Sequence, residues 1–420
     1  MCDADRSPGA LRRLGGTARN IGLVLGGQAA LSAGKFAALL VLSHLLAPAR
    51  FAECAIYASS TLVVGNLSEL GINISCLKFA AEVKDADWLR TVSRFLWLRL
   101  LLSGGAIAGV FLLAPFIAAK LLARPEYTMA LRLACVSAGM ASISAFSLVL
   151  LQSRLEFGRM ARISGTAAVL QLLPVLLVMR FGWQGVNSLF VGDLLSRLAI
   201  VIANLGLLGA ALAAGRSAGT RPEWKPIALF ANWITISTLI GSLYNYIPSI
   251  ALSRWSTPAA LGTYSLGLSL SGGFALLLNT TSTVLLPEAV AASTPERRRA
   301  YLRSYLPGAA ALAATLIALT WLAGPLAARI FPRSMPDAVR VFQLLATANI
   351  ALLVANPVQF LLYGAGRPQW CTAADALITV LFGAMAVWLA PTWGAVGVAS
   401  GLLVAQTGVK AAVVGLVVRR

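Results

Sequence analysis

Long apolar segments separated by short polar loops constrain this chain more than any other feature of its sequence. A helix of about 20 mostly apolar residues crosses the hydrocarbon core of a bilayer and satisfies its own backbone polar groups there. We find twelve such segments, which predict an all-α integral membrane protein with about twelve transmembrane helices. The segments cover residues 20–46, 51–77, 95–119, 127–151, 160–180, 185–213, 227–251, 259–287, 303–324, 338–363, 370–390 and 394–418.

The composition agrees with a chain whose surface meets lipid. Hydrophobic residues make up 58% of the sequence and charged residues 12%, whereas a soluble domain has about 25% charged residues. The net charge of +19 lies in short clusters between the apolar runs, which is typical of basic membrane-protein loops and not of a nucleic-acid-binding protein. One histidine and five scattered cysteines form no metal-binding or cofactor-binding pattern.

Basic residues in the loops predict how the chain is oriented. Loops on the side of the N-terminus hold most of the lysines and arginines, an excess that marks the cytoplasmic side of a membrane protein. We therefore predict cytoplasmic termini in a bacterial-type inner membrane. The apolar run that begins near Ile21 is too long for a signal peptide, so we interpret it as the first span. The opposite side carries Arg50, Lys120, Arg124, Arg180, Arg254, Arg329 and Arg333.

The chain shows weak self-similarity at a spacing of roughly 210 residues. Pro48 precedes the second span as Pro258 precedes the eighth, and Gly182 precedes the sixth as Gly394 precedes the twelfth. Chance similarity among turns rich in glycine, alanine and proline is the alternative. A true repeat predicts two six-helix halves around a central cavity, related by an axis along the membrane normal.

The repeat divides the chain into four regions. We expect a cytoplasmic segment at residues 1–19, an N-terminal half at 20–213, a cytoplasmic linker at 214–226 and a C-terminal half at 227–420. None of the loops between the spans is long enough to fold as a domain. This argues against an enzyme with catalytic residues on an external loop.

Polar residues inside the spans are candidates for a substrate path, because a charge in lipid costs about 2.5–3.5 kcal/mol on insertion scales. Gln28, Ser32 and Lys35 share one face of the first span by their i, i+4, i+7 spacing. Glu69 lies in the second span. The repeat relates these four residues to Thr238, Ser242, Asn245 and Asn279 in the seventh and eighth spans.

The sixth and twelfth spans also carry charged residues at matching positions. Asp193 and Arg197 lie one turn apart in the sixth span, and Gln406 and Lys410 lie one turn apart in the twelfth. Together with Lys35, the two basic residues would make a central cavity cationic. Such a cavity suits an anionic substrate such as a phosphate.

Structural roles are the alternative for these charged residues. Asp193 and Arg197 can neutralise each other on one helix, and Lys35 can pair with Glu69. Lys410 can extend to the cytoplasmic edge of the membrane.

Several short motifs resemble those of the polysaccharide-export flippases, in the same order along the chain. The segment after the first span resembles their LLGPxxFG turn, although Ala47 and Ala52 replace the usual glycines. Glu69 stands where their xDLGx segment has aspartate. The matching segments are residues 45–52, 68–72, 154–159, 285–288 and 394–397.

The chain thus resembles the Wzx-type flippases of the superfamily that also holds multidrug exporters. The resemblance implies a non-enzymatic protein that carries an undecaprenyl-pyrophosphate-linked oligosaccharide by alternating access, among membrane lipids and in contact with other polysaccharide-assembly proteins. We then expect Lys35 and Arg197 to contact the pyrophosphate, with Lys410 as a further cavity cation. Sugar contacts are expected from Gln28, Asn245 and Asn279, and candidate ion-coupling residues are Glu69, Asp193 and Asp375.

Three other functions remain open at this point. A multidrug antiporter of the same superfamily would normally favour cationic drugs, whereas the membrane-embedded basic residues here at least match the acidic ones. A polytopic enzyme of glycan assembly would need a large external loop. A lipid II flippase is a third alternative, but those proteins are usually longer.

Overall fold

The computed structural model describes most of the chain. The described ranges are residues 26–27, 30, 32–69, 72–73, 75–76, 85–154, 156–182, 186–214, 224–291, 294–364 and 368–418. Every regular element within these ranges is a helix, which confirms the predicted all-α class.

The N-terminal half is a bundle of helices that follow the predicted spans. Its fifth span is divided into two helices, α5 and α6, and its sixth span into α7 and α8. The helices are α1 (Ser32–Leu45), α2 (Pro48–Glu69), α3 (Asp85–Phe116, followed by a π-helical turn at Ile117–Leu121), α4 (Thr128–Ser153), α5 (Phe157–Leu170), α6 (Leu173–Phe181), α7 (Val186–Ala203) and α8 (Leu205–Ala214).

The C-terminal half repeats this plan. Its last element contains both the eleventh and the twelfth predicted spans, joined at Gly394, where the backbone leaves helical geometry with a φ of 53°. The helices are α9 (Trp224–Trp255), α10 (Pro258–Ala291), α11 (Pro295–Leu322), α12 (Gly324–Ile330), α13 (Ala338–Gly364) and α14 (Pro368–Val418).

Seven helical stretches within the described residues are long and apolar enough to cross a membrane. One of them, Gln369–Leu416, holds two of the predicted spans. The helix α2 is not among the seven, and its place in the bundle explains why. It packs against α4 in its own half and against α9 and α10 in the other, so protein and not lipid surrounds much of it. The outer faces of other helices expose large apolar side chains, as a lipid-facing surface requires: Leu101, Leu112, Leu322 and Trp388 are each more than 70% exposed.

The geometry confirms the internal repeat at the positions where the sequence predicted it. The helix α1 ends just before Ala47, and α2 begins at Pro48. In the other half, α9 ends at Trp255 and α10 begins at Pro258. Proline fits the first turn of a helix because no intrahelical partner is lost there. Gly182 and Gly394 both have positive φ, 66° and 53°, before the last span of each half.

The two halves meet where α2 and α10 begin, which we call the Pro48 end of the bundle. A side chain at Gly262 of α10 would place its Cβ 3.2 Å from the ring of Phe51 and 3.3 Å from the carbonyl oxygen of Pro48, so the glycine allows a close approach of the two helices at this crossing. Two arginines also bridge the halves. Arg124 donates from Nε to the carbonyl oxygen of Ser253 at 3.4 Å, and Arg254 donates to the carbonyl oxygen of Lys120.

Candidate functional site: a cationic cavity in the N-terminal half

A break in the fifth span organises the site. The backbone leaves the helix at Gln171, because Pro174 cannot donate the hydrogen bond that would continue it. Two glycines let the neighbouring helices come close to this break. A Cβ at Gly192 of α7 would lie 2.4 Å from the ring of Pro174, and one at Gly34 of α1 would lie 2.7 Å from the carbonyl oxygen of Ala168. These two glycines therefore allow α1 and α7 to meet beside the break in the fifth span.

Two cavities lie at this junction, and Lys35 borders both. The larger cavity has a volume of about 260 Å³ and the smaller about 40 Å³, and both are lined by Lys35 and Gln171. The polar lining of the larger cavity is completed by Ser32, Ser144, Ser196 and Arg197. That of the smaller cavity is completed by Tyr57, Thr61 and Asp193.

Asp193 is the centre of a polar network that joins three helices. Its Oδ2 lies 3.0 Å from Nε of Arg197, one turn along α7. The same oxygen accepts a hydrogen bond from the Tyr57 hydroxyl of α2 at 3.1 Å and one from the Ser137 hydroxyl of α4. Both side chains of the ion pair are largely buried, at 14% exposure for Asp193 and 22% for Arg197. Mutual neutralisation, the structural alternative for this pair, is thus present in the structure.

Lys35 changes the balance of charge at this junction. No carboxylate of the described residues lies within 4.0 Å of its amine. Lys35 and Arg197 carry two positive charges, and Asp193 carries one negative charge. The junction of the two cavities therefore has a net charge of about +1 when all three groups are ionised.

The C-terminal half has a polar cluster at the matching place, but it is electrically neutral. Lys410 forms an ion pair of 2.8 Å with Asp375 of the preceding span. Gln406 accepts a hydrogen bond from the Tyr244 hydroxyl at 2.8 Å and donates one to the carbonyl oxygen of Ala348 at 2.6 Å. The polar groups of Lys410, Asp375 and Gln406 are thus already paired within the protein.

The structure brings together some of the predicted site residues and separates others. Lys35, Asp193 and Arg197 share one site, whereas Lys410 lines neither cavity. Asn245 is half-buried, and its amide donates to the carbonyl oxygen of Gly241 on its own helix at 2.7 Å.

Two residues that were predicted to contact the sugar have side chains outside the part of the chain that the structure describes. Gln28 is not among the described residues, and Asn279 lies in α10 but its side chain is not described. Their assignment to sugar hydroxyls remains a prediction.

Glu69 lies away from the cavities and close to a buried arginine that the sequence analysis did not identify as a site residue. Arg99 of α3 is 1% exposed and interacts electrostatically with Glu69. It donates from Nε to the Ser142 hydroxyl at 2.7 Å and from Nη1 to Asn73 Oδ1 at 3.1 Å. The alternative pairing of Glu69 with Lys35 is not found among the described residues.

Further polar residues of the site, among them Tyr57, Ser137 and Gln171, were not predicted from the sequence. A single tyrosine, serine or glutamine in a span carries little signal, because each can bond its own helix. Pro174 was the available clue for Gln171, since a proline inside a span marks a break where polar groups become available.

Comparisons with known proteins agree with this architecture. The sequence profile of the family described as polysaccharide biosynthesis protein matches residues 17–290. An inward-facing multidrug resistance MATE family transporter of the MOP superfamily superposes with a TM-score of 0.75 at 16% identity, covering 92% of this chain and 93% of the other. The lipid II flippase MurJ, in an inward closed conformation, gives 0.72 at 10% identity, covering 95% and 88%.

A third solved structure shares the fold. A Vibrio cholerae MATE transporter gives a TM-score of 0.61 at 15% identity and covers 96% of this chain and 95% of its own. No curated protein sequence matches the chain. At these identities the likeness to solved structures shows the shared fold alone, a multi-pass helical bundle.

Proposed function

Because this chain belongs to the polysaccharide biosynthesis protein family, we propose that it is a flippase for an undecaprenyl-diphosphate-linked oligosaccharide. It takes the lipid-linked sugar from the cytoplasmic to the periplasmic leaflet of a bacterial inner membrane, for assembly of a surface polysaccharide such as lipopolysaccharide or exopolysaccharide. The observation that carries the proposal is the net-positive cavity that Lys35 and Arg197 line inside the N-terminal half.

The charge of the cavity selects the kind of substrate. A cation within the membrane-spanning part of a protein is unfavourable without a counter-ion, so an anionic ligand that supplies the missing negative charge is stabilised there. Arg197 can hold two phosphate oxygens through its planar guanidinium, and Lys35 adds a point charge. The hydroxyls of Ser32, Ser144 and Ser196 line the same cavity. Ser144 already donates to the carbonyl oxygen of Ala141 at 3.0 Å, and Ser196 to that of Ala167 at 3.0 Å.

The volume of the cavity limits which part of the substrate enters it. The larger cavity has a volume of about 260 Å³. This accommodates a diphosphate but not an attached oligosaccharide. We infer that the sugar chain occupies the space between the two halves, while the polyprenyl tail stays in lipid.

The difference between the halves argues for one anion site per protein. Lys410 is neutralised by Asp375, whereas no described carboxylate balances Lys35 in the N-terminal half. The roles of Asp193, Asp375 and Glu69 in coupling to an ion gradient remain part of the proposal. The cytoplasmic termini and the cytoplasmic linker at 214–226 also belong to it, on the basis of the loop charges.

Export of cationic drugs is the second candidate function. The fold similarity to a multidrug resistance MATE family transporter favours it. Lys35 and Arg197 oppose it, because a cationic cargo would be repelled by a cavity that already carries a net positive charge. An enzymatic role lacks a comparable argument, since the structural relatives are transporters and flippases.

The test measures the leaflet distribution of undecaprenyl-linked oligosaccharide in cells that lack the protein and in cells where it is restored. We expect accumulation in the cytoplasmic leaflet, cleared by the wild-type protein but not by Lys35→Ala or Arg197→Ala. Arg329→Ala is the matched control, because Arg329 is exposed on α12. All variants are compared at equal amounts of membrane-inserted protein.

Two outcomes would contradict the proposal. If both cavity variants cleared the lipid-linked oligosaccharide normally, Lys35 and Arg197 would not be the residues that bind it. An unchanged lipid distribution in cells without the protein would favour the drug exporter, and efflux of a cationic dye would then be measured.

A further inference from the structure

The hydroxyl of Tyr57 connects α2 to the cationic site. The tyrosine is 3% exposed and donates to Asp193 Oδ2 at 3.1 Å. Thr61, one turn further along α2, lines the smaller cavity beside Lys35 and Asp193. One face of α2 is therefore part of the wall of the N-terminal site.

The same turn of α2 also contacts the C-terminal half. Ser59 accepts a hydrogen bond from the Ser249 hydroxyl of α9 at 2.9 Å, and the Ser60 hydroxyl lies 3.3 Å from the Tyr246 hydroxyl. Successive residues of a helix advance by about 100°. Tyr57 and Ser59 therefore project to nearly opposite sides of α2, although they are only about 3 Å apart along its axis.

A rigid helical turn thus touches the anion site on one side and the neighbouring half on the other. A bound anion would compete with Asp193 for Arg197, because all the contacts that the structure gives between these two side chains run through a single carboxylate oxygen and Nε. The Tyr57 hydroxyl bonds that same oxygen. A change in the ion pair would therefore directly alter the hydrogen bond that Tyr57 of α2 makes with Asp193.

We propose that Tyr57 transmits the occupancy of the anion site to the interface between the halves, by coupling the Asp193–Arg197 pair to the contacts of Ser59 and Ser60. The proposal rests on the proposed function, because it needs an anionic headgroup as the ligand. Tyr57 is a positioning residue: it bonds Asp193, and the anion is bound by Lys35 and Arg197. If the role of Tyr57 were purely structural, its hydroxyl would only supply a hydrogen bond to the buried carboxylate of Asp193.

The experiment separates binding from movement in the full-length protein in lipid nanodiscs. Spin labels at Arg180→Cys and Arg333→Cys, two exposed positions in opposite halves, report the distance between the halves. Undecaprenyl diphosphate is the probe, and undecaprenol, which lacks the phosphates, is its control. The variant is Tyr57→Phe, which removes the hydroxyl and keeps the buried ring.

Tyr127→Phe is the matched control variant. Tyr127 is 2% exposed, and its hydroxyl has no hydrogen-bond partner among the described residues. We expect Tyr57→Phe to bind undecaprenyl diphosphate within about threefold of wild type but to lose the ligand-induced distance change. Transport should fall about tenfold, the usual size of a coupling between two sites. Tyr127→Phe should behave as wild type in all three measurements.

Other outcomes decide against the inference. A wild-type distance change and wild-type transport in Tyr57→Phe would overturn it. Weak binding with a full distance change at saturating ligand would also overturn it, because Tyr57 would then serve binding alone. If wild-type protein does not bind undecaprenyl diphosphate, the proposed function fails first and the inference fails with it.

A second variant approaches the same coupling from the other half, in case Tyr57→Phe does not fold. Tyr246→Phe removes the contact with Ser60 and leaves the anion site untouched. We expect normal binding with a reduced distance change. A full distance change would contradict the role of this turn of α2.

Discussion

Replacing Asp193 with asparagine tests the charge balance of the cavity, because asparagine keeps the shape and one acceptor oxygen but removes the negative charge. At 3.0 Å and an effective dielectric constant of about 20, the Asp193–Arg197 attraction is about 5.5 kcal/mol. Desolvation offsets part of this, and removing one partner of a buried pair costs about 3–5 kcal/mol. Because Arg197 borders the larger cavity and is not fully buried, we take the lower end of this range, about 3 kcal/mol, as the loss of stability without ligand.

The same change should strengthen anion binding. Arg197 and Lys35 then face the ligand without a competing carboxylate. If one quarter of the lost Asp193–Arg197 attraction, about 1.4 kcal/mol, goes into ligand binding, the Kd for diphosphate falls about tenfold. For a chain of 420 residues with an unfolding entropy of about 2.1 cal/mol/K per residue, a 3 kcal/mol loss lowers the melting temperature by about 3 °C. Ligand at 100 times its Kd restores about 2.7 kcal/mol.

The assay is thermal unfolding of purified Asp193→Asn and wild-type protein with and without inorganic diphosphate, together with a binding titration. Glu156→Gln is the control, because its pair with Arg159 is 3.4 Å long and both side chains are more than one-third exposed. Such a surface pair contributes about 0–1 kcal/mol, so this variant should melt near the wild-type temperature. Wild-type stability with unchanged or weaker diphosphate binding in Asp193→Asn would refute the reasoning.

Three further predictions follow from other parts of the structure. Lys410→Met should leave diphosphate affinity within about twofold of wild type in the same titration, because the C-terminal pair is neutral and outside the cavities. Gly192→Ala should lower stability by about 1–3 kcal/mol in thermal unfolding, because its Cβ would meet the proline ring at the start of α6 at 2.4 Å. Replacing both Arg124 and Arg254 with alanine should open the Pro48 end, and labelling of the buried Cys54 by a membrane-impermeant thiol reagent should become faster. An unchanged labelling rate would show that the two arginines do not hold this end closed.

The sequence predicted the helices and the repeat well because both leave signals along the chain. Hydropathy marks a lipid-facing helix, and α2 gave the weak signal of a helix that protein surrounds. Pro48 and Pro258 marked helix starts, and Gly182 and Gly394 marked positions of positive φ. Each of these signals depends only on residues that are close in sequence, so it can be recognised without knowing which helices pack together.

The site was predicted only in part, because contacts between helices depend on rotation and packing. Lys35, Asp193 and Arg197 were found from their charge alone, and the pairing of Asp193 with Arg197 follows from their i, i+4 spacing. The partner of Lys410 is Asp375, 35 residues away on another span. Nothing along the chain relates these two positions, nor Tyr57 to Asp193. Arg99 lies inside the third span and is buried against Ser142, a contact that nothing in the sequence around it indicates.

The placement of the cavity within one half has a consequence for how access could alternate. Helices α1, α4 and α7, together with Gln171 at the break in the fifth span, supply the residues around the larger cavity, and all belong to the N-terminal half. Such a site keeps its geometry when the halves move as rigid bodies, so the anion affinity need not change with the direction of access. A ligand shifts a conformational equilibrium only by its differential affinity for the two states. The anion site therefore needs a contact that crosses between the halves, and α2 borders both the smaller cavity and the C-terminal half.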